Sequence, residues 1–504
     1  MTAVRTPFRP SVEARPESFR QTLRAEWTKL RTVRGWLVAL VLAPVLMGLF
    51  GWLVGAGSHS TYNTGPDTPA ITGHPYVPIG PGGEAVTDDL TLVHRDLTGD
   101  GTITARVDSL TGTANRWAKA GLMIKANTAQ GSAYAAIMVT GGRGVRMQYD
   151  FTGDIAGPAS ARWLRLTRSG DTLTGYASTD GTSWTRVGSA RLRGLPATVP
   201  GGLFATTPPT QTVSQHLGGG TGSGGFSPAV GTFTGISVDG GWAASAWRGD
   251  VIGTRGIDPL GRLGFQAHGD DAVTVTGFGD VAPDPGGIGV MIERTLTGAF
   301  AALTVVAVLG ALFITTEYRR GMHRVTLAAS PRRGRVLAAK ALVLGVVTFT
   351  AGVIGSVLAI LVGRPVLVAN GNFVYPVSGL TSVRLVAGTA LVLAVMAVLG
   401  LALGTILRRS AGAVAMVVVA MVLPYLLATA GVLPVGAAQW LLRVTPAAGF
   451  AIQQSLPAYA QVDGAYLPTL GFFPLAPWVG FAVLCAYAAA ALAVAAHLLR
   501  RRDA

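Results

Sequence analysis

The residues that could carry chemistry in this chain are concentrated in one stretch, EYRRGMHRVTLAASPRRGRVLAAK, which spans positions 317–340 between two long apolar segments. Its one acidic residue is Glu317, and its basic residues are Arg319, Arg320, Arg324, Arg332, Arg333, Arg335 and Lys340. A short basic loop between two membrane-spanning helices is typical of the cytoplasmic side of a membrane. The stretch is therefore predicted to set the orientation of every other segment.

No catalytic motif accompanies that stretch. The sequence contains no GxxxxGK[ST] phosphate-binding loop, no HExxH zinc motif and no GxSxG nucleophile elbow. The ionisable residues near the apolar segments stand at segment ends, where long side chains can reach the headgroups; they are Glu293, Arg294, Lys340, His497 and Arg500. A transporter coupled to protons or sodium would bury carboxylates near the midplane. The sequence thus predicts no catalytic, cofactor-binding or metal-binding residues.

Composition places the chain among polytopic membrane proteins. Of its 504 residues, 49% are hydrophobic and only 13% are charged, and the mean hydropathy is +0.45. The net charge of +15 is unevenly spread: residues 57–297 hold 17 Lys/Arg and 19 Asp/Glu, and the rest of the chain holds 23 and 6. Positive charge beside apolar segments indicates topology, so nucleic acid is not expected as a partner. The single cysteine, Cys485, excludes an intrachain disulfide.

Six apolar segments are long enough to cross a bilayer. They are residues 35–56, 296–315, 336–362, 385–407, 411–433 and 476–498. If both termini are cytoplasmic, loop 316–335, the pair Arg408–Arg409 and the C-terminal arginines all fall on the cytoplasmic side. The sequence therefore predicts a multi-pass protein of the plasma (cytoplasmic) membrane with residues 57–295 extracellular.

The predicted organisation has an exported domain inserted between the first two spans. The predicted segments of the chain are 1–34, a cytoplasmic tail and interfacial amphipathic helix; 35–56, the first span; 57–87, an outer linker; 88–240, a β-sandwich; 241–295, a Gly-rich connector; and 296–504, spans two to six. The helix is predicted from one apolar face, Phe19, Leu23, Trp27, Leu30 and Val33. The alternative is a solvated basic extension of the first span.

The sandwich is predicted from many short strands separated by turns. The strands expected are 102–107, 120–124, 134–139, 145–149, 163–167, 172–178, 184–188, 202–205 and 233–238. Residues 179–182, TDGT, indicate a hairpin turn. Residues 218–225, GGGTGSGG, are expected to form a flexible loop.

Three segments of this region resemble concanavalin-like, laminin-G-like jelly rolls: WAKAGLMIK (117–125), WLRLTRSGDTLTGYASTDGTSW (163–184) and GGLFA (201–205). The resemblance implies the fold over residues 88–240. Such domains often bind glycans, sometimes with calcium, but no ligand residue carries over. Trp163 and Trp184 are expected in the core, the alternative being platforms for a sugar ring. Residues 96–101 are expected to form a plain turn instead of a calcium loop.

The membrane part resembles the type-two ABC export permeases. Residues that match the first cytoplasmic loop of that family are Glu317, Tyr318, Arg319, Gly321, Pro331, Arg333 and Lys340, with Met322 where Thr is usual. LRAEWTKLRTVRGW (23–36) resembles the N-terminal helix of the family. WLLRVTPAAGFAIQQSLP (440–457) resembles its outer segment before the sixth span.

The permease resemblance implies a separate ATPase subunit that binds the ATP, and a homodimer or heterodimer of permeases in membrane lipid. The candidates for contact with the ATPase are Glu317, Tyr318, Arg319, Arg320 and Gly321; the alternative is that these charges only set topology. The function expected is the membrane-spanning subunit of an ABC exporter, which is not an enzyme. The alternatives are a membrane-anchored, lectin-like binding or sensing protein with an envelope glycan as ligand, and an assembly or immunity factor that keeps the permease fold.

Overall fold

The computed structural model describes residues 18–62, 71–72, 76–216, 219–225, 227–253, 261–268, 272–287, 289–319, 333–464 and 466–502. Its α-helices are α1 Phe19–Thr32, α2 Arg34–Gly57, α3 Ala299–Arg319, α4 Arg333–Ala369, α5 Gly379–Leu407, α6 Ser410–Thr429, α7 Val435–Val444 and α8 Pro477–Arg502. Three 3-10 helices are η1 Ile292–Gly298, η2 Pro446–Gln453 and η3 Pro468–Leu470.

The strands lie between α2 and η1. They are β1 Thr61–Tyr62, β2 Ile71–Thr72, β3 Val86–Asp88, β4 Leu90–Thr111, β5 Lys119–Lys125, β6 Tyr134–Thr140, β7 Val145–Tyr149, β8 Gly153–Ala156, β9 Trp163–Ser169, β10 Thr172–Ser178, β11 Thr185–Arg191, β12 Thr198–Thr206, β13 Thr210–His216, β14 Gly219–Gly225, β15 Ala229–Trp242, β16 Arg248–Ile252, β17 Gly264–His268, β18 Ala272–Gly277 and β19 Val281–Pro283.

Within the described ranges, six helical segments are long and apolar enough to cross a membrane. They are Arg34–Gly57, Ile292–Tyr318, Arg333–Ala369, Gly379–Leu407, Ser410–Thr429 and Pro477–Arg501. The prediction of six apolar helices of spanning length is therefore confirmed. The basic end of this helix bundle is the end where α3 finishes and α4 begins, and the β-domain end is the opposite one.

Small residues allow the spans to approach closely. Gly51 and Gly55 of α2 lie against the backbone of α4, so the GxxxG step of the first span is a packing face. Gly310 of α3 lies against the carbonyl of Ala397 in α5, where a Cβ would clash with the backbone. The spans α3 and α5 consequently form the buried centre of the bundle.

The inserted region is a β domain built on one large antiparallel sheet of 13 strands. The central path of the sheet runs β11-β10-β9-β4-β12-β5-β6-β7-β8, and β4 also pairs with β15 and β16. Alternate residues of these strands enclose the larger of two apolar clusters in the domain. The structure thus confirms an inserted β domain, and the more specific jelly roll stays a prediction.

Strands β5 and β6 do not show the alternation of buried and exposed residues that is expected of a strand with one face in water. Both strands are buried along their whole length. A second apolar cluster, which includes Phe151 and Val281, covers their other face. Two buried lysines there are paired with carboxylates: Lys125 with Asp88 and Lys119 with Asp280, each at 2.6 Å. Charges so far from water need such partners.

Three local expectations for this region were wrong. The Gly-rich run forms strand β14, because its backbone pairs with β13 from Gly219 to Gly225. Residues 96–101 lie inside β4, where Gly99 takes a positive φ of 70°, and do not form a separate turn. Trp163 and Trp184 are both half-buried and belong to none of the core clusters, and the Arg165 guanidinium lies 3.9 Å from the centroid of the Trp184 ring. The hairpin turn at 179–182 is confirmed, with Gly181 at φ +77°.

The β domain contacts the loops at its end of the bundle. Val77, Ala85, Met291, Tyr375 and Phe472 form one small apolar cluster between the two parts. The Arg143 guanidinium of the β domain lies 3.1 Å from the Asp463 carboxylate. These contacts hold the β domain against the loops at the β-domain end of the bundle.

Candidate functional site

A group of four charged side chains lies at the basic end of the bundle. The Lys340 ammonium is 2.7 Å from Glu26 Oε2 and 2.7 Å from Glu317 Oε1. The Lys29 ammonium is 3.0 Å from Glu26 Oε1 and 3.1 Å from the same Glu317 oxygen. Each cation therefore bridges both carboxylates. We refer to Glu26, Lys29, Glu317 and Lys340 as the charge cluster.

Three helices supply the charge cluster. Glu26 and Lys29 are one turn apart on α1, which begins with a capping box between Ser18 and Gln21. Glu317 lies in the last turn of α3. Lys340 lies in the second turn of α4. The cluster therefore joins the N-terminal helix to both spans that the basic stretch connects.

Apolar and aromatic side chains enclose the cluster. Leu30 of α1 is buried in the core of the bundle. The Phe313 ring, one turn before Glu317, lies 4.8 Å from the Lys340 ammonium and 4.9 Å from the Trp36 ring. Water is excluded from one side, so the charges depend on one another for compensation.

The exposure of the two cations differs. The side chain of Lys340 is 1% exposed and that of Lys29 is 36% exposed. Burial of the Lys29 ammonium lowers its pKa, but the charges of Glu26 and Glu317 outweigh this, and the pKa of Lys29 is raised. The two cations and two anions of the cluster have no net charge. The loss of any one of them therefore leaves one charge of the cluster without an opposite charge to balance it.

The predicted contact residues have different outcomes. Glu317 belongs to the charge cluster, and the Tyr318 ring packs on the apolar core with the Arg408 guanidinium 5.1 Å away. Arg319 is the last residue of α3. Arg320 and Gly321 lie outside the described residues. Lys340 was expected to extend toward the headgroups; that is wrong, because the two carboxylates hold its ammonium inside the bundle.

Sequence reasoning missed Glu26 and Lys29. The predicted apolar face of α1 is rotated: the buried residues are Thr22, Glu26 and Leu30, while Trp27 is 47% exposed. A signal was present, because Glu26 is the only acidic residue in α1. A lone acid in a basic helix is a candidate for an internal ion pair.

Further contacts fix the same end of the bundle. The Arg333 guanidinium at the start of α4 donates to the carbonyl of Leu499 in α8 at 2.8 Å. Arg408 and Arg409 stand between α5 and α6. In the described part of the chain, no group of three His, Cys, Asp or Glu side chains could hold a metal ion.

Comparison with protein families decides what kind of protein carries this cluster. The family model described as ABC-2 family transporter protein matches residues 108–504, which is more than half of the chain. The chain belongs to this family. The match begins inside β4, so Glu26 and Lys29 precede it, and Glu317 and Lys340 lie within it. In this ABC-2 family member, the charge cluster therefore ties the matched region to the helix that precedes it.

Solved structures share only partial likeness with the chain. A functionally unknown protein from Saccharomyces cerevisiae has 16% identity and a TM-score of 0.20, over 37% of this chain and 97% of that one. SCP-B, a member of the Eqolisin family of peptidases, has 10% identity and a TM-score of 0.20, over 38% and 96%. Scytalido-glutamic peptidase has 10% identity and a TM-score of 0.21, over 38% and 96%. A comparison with curated proteins found no match.

The family and the spans together give a coarse function. This ABC-2 protein is a multi-pass membrane protein of the transporter class. The charge cluster offers no nucleophile and no general acid or base directed at a pocket, because each of its carboxylates faces a cation. The arrangement links α1, α3 and α4 to one another through ion pairs.

Proposed function

We propose that this chain is the membrane-spanning permease subunit of an ATP-driven exporter, powered by a separate ATPase subunit. The observation that carries the proposal is the charge cluster, in which Lys340 and Glu317 clamp together the two ends of the basic stretch. A force applied to that stretch would reach α3 and α4 directly, and α1 through Glu26.

The clamp is suited to movement as well as to rigidity. Lys29 and Lys340 both contact both acids, so one pair can separate while each charge keeps a partner. Complete separation would leave charges buried without compensation, which is costly. Such an arrangement supports two alternative packings of the helices with a limited barrier between them.

Family membership supports the ATPase partner, and the basic stretch is the surface we assign to it. Glu317, Tyr318, Arg319, Arg320 and Gly321 are the proposed contact residues. ATP would be bound by the partner, with two permease chains and two ATPases in the assembly. The permease pair would be a homodimer or a heterodimer.

We propose that both termini are cytoplasmic and that residues 57–295 are extracellular. Basic residues support this orientation, because Arg408, Arg409, Arg500 and Arg501 lie near the ends of spans that reach the basic end. The membrane would be the plasma membrane.

One observation favours a second function, that of a lectin-like binding protein. A cavity of about 560 Å³ lies on the β domain, lined by Thr102, Arg165, Tyr176, Trp184 and Asp239, among others. The Arg165 guanidinium rests on the Trp184 ring and donates to Thr104 Oγ1. An aromatic ring beside hydroxyl and charged groups is suited to a polar ligand such as an envelope glycan.

Co-purification tests the two functions against each other. The tagged chain is solubilised gently from its own host, and the proteins and glycans that remain bound are identified by mass spectrometry. A stoichiometric nucleotide-binding ATPase is the expected result. If glycan is retained and no ATPase is found, transport is rejected and the β domain becomes the functional part.

A further inference from the structure

A second polar site lies at the β-domain end of the bundle, far from the charge cluster in the fold. It is a cavity of about 230 Å³ between η1, α6, η2 and η3. Glu293 and Arg294 line its polar part, together with Gln453; Phe300, Tyr425 and Phe450 line its apolar part. We refer to it as the Glu293 cavity.

The carboxylate of Glu293 is only half satisfied. Its Oε1 accepts a hydrogen bond from the backbone amide of Ser455 at 2.9 Å. Its Oε2 is buried and has no hydrogen-bond partner among the residues that the structure describes, so the charges of Arg294 and Arg384 act on this carboxylate without a hydrogen bond to Oε2. A buried carboxylate oxygen without a donor is unfavourable, so this atom marks a place where a cationic donor would bind.

Arg294 gives the same cavity a positive charge. It follows Glu293 in η1, lines the cavity and is exposed. A guanidinium prefers phosphate or carboxylate oxygens, which it can contact through two N–H groups. The cavity therefore presents an acceptor for an ammonium and a donor for an anion side by side.

The deeper part of the cavity is aromatic. The Phe300 ring centroid lies 4.4 Å from that of Phe450 and 4.6 Å from that of Tyr425. Phe300 stands seven residues after Glu293, which is about 10 Å along the helix axis at the rise of helical residues. The cavity is thus polar near Glu293 and apolar near Phe300.

Size limits what the cavity can hold. At about 30 Å³ for each water molecule in the liquid, 230 Å³ corresponds to roughly eight waters. That volume accommodates a small head group such as phosphoethanolamine, whereas an acyl chain would have to leave along the surface of the spans.

We propose that the Glu293 cavity binds the zwitterionic head group of an amphiphile. The ammonium would donate to Glu293 Oε2, the anionic group would lie against Arg294, and the first part of the chain would contact Phe300 and Tyr425. The ligand could come from the surrounding bilayer or be a transported amphiphile. Binding requires no ATPase, so the proposal stands or falls independently of export.

Photo-crosslinking tests this proposal. The full chain, purified in dodecyl maltoside, is labelled with a phosphatidylethanolamine that carries a diazirine near the head-group end of its chain, and the labelled peptides are mapped. Unlabelled phosphatidylethanolamine and the single-chain lysophosphatidylethanolamine serve as zwitterionic competitors with a primary ammonium, and phosphatidylglycerol serves as the competitor without an ammonium. Labelling is expected in the peptides that contain Phe300 and Tyr425, with zwitterionic competition much stronger than that by phosphatidylglycerol.

Substitutions of Glu293 and Arg294 test whether each charge contributes to binding of the head group. Glu293→Gln and Arg294→Gln should each weaken competition about tenfold or more, because each removes one charge-assisted contact. Arg443→Gln is the matched control: Arg443 is also exposed at this end, on α7, and does not line the cavity. Arg294→Gln changes an exposed side chain, so it remains informative if Glu293→Gln folds poorly.

The competitors also identify the source of the ligand. Displacement by phosphatidylethanolamine at least as strong as that by lysophosphatidylethanolamine points to a bilayer lipid, and much stronger displacement by lysophosphatidylethanolamine points to a single-chain transported amphiphile; both support the site. Labelling elsewhere, equal competition by phosphatidylglycerol, or no effect of Arg294→Gln would overturn the proposal.

Discussion

Lys340 and Glu26 stand 314 positions apart in the chain, yet the ammonium of one lies 2.7 Å from a carboxylate oxygen of the other. Lys340 is also 2.7 Å from Glu317, which is 23 positions away. The inserted β domain is therefore bracketed by segments that meet again at the basic end of the bundle. This contact ties the helix before the first span to the spans that follow the insertion.

Removal of the central cation should destabilise the protein strongly. Lys340→Met leaves Glu26 and Glu317 buried with only the partly exposed Lys29 between them. We expect a loss of about 3–5 kcal/mol, the range for breaking a buried pair on one side, measured as a lower unfolding temperature and denaturant midpoint in detergent. Arg335→Met, on the exposed face of α4, is the control and should change little.

A double substitution separates charge imbalance from lost packing. Glu26→Gln combined with Lys340→Met restores neutrality, because Glu317 and Lys29 remain as a pair. The double variant should be more stable than the sum of the single effects predicts, by roughly 1 kcal/mol or more. Simple additivity would show that Glu26 and Lys340 are not coupled.

The sequence was sufficient to predict the six spans and most of the strands. Apolar length identifies a span whatever its neighbours are, and the strand at 134–139 coincides with β6, Tyr134–Thr140. In both cases the signal is local, so no knowledge of the tertiary contacts is needed.

The charge cluster was only half predictable. Glu317 could be singled out from its place in the basic stretch. Glu26 could not, because its burial depends on Lys340, which lies on another helix more than 300 positions away. Helical periodicity favoured Trp27 as the buried residue, yet neutralisation by two lysines allows the acid to take that side. Pattern arguments fail where a tertiary ion pair changes which residue can be buried.

Reversal of charge on the basic stretch should weaken the ATPase contact. Arg319→Glu together with Arg320→Glu would place anions at the proposed surface, and we expect less ATPase to co-purify while membrane insertion is unchanged. Arg500→Glu with Arg501→Glu is the matched control, with two exposed arginines at the end of α8. Full retention of the ATPase by the first variant would rule out the contact.

Site-directed labelling should establish the orientation. In a Cys485→Ala background, Thr182→Cys places a thiol in the exposed hairpin turn of the β domain, and Arg335→Cys places one on α4 at the basic end. A membrane-impermeant maleimide added to intact cells should label the first thiol only. After permeabilisation it should label both, which confirms that the second is accessible. Labelling of position 335 alone in intact cells would reverse the topology.

The contribution of Lys29 should vanish at alkaline pH. Its pKa in the folded protein is raised above the ordinary value of 10.5 by Glu26 and Glu317, against the opposing effect of burial. The folded chain therefore keeps this proton at pH values where the unfolded chain has lost it. The stabilisation is complete below pH 10.5 and is lost as pH rises through the folded pKa. The unfolding temperatures of wild type and Lys29→Met should differ by a constant amount from neutral pH to about pH 9.5, which is one unit below the ordinary pKa. The two temperatures should converge as the pH rises through the pKa of the folded protein. A difference that stays constant through the alkaline range would show that Lys29 acts by packing instead of by charge.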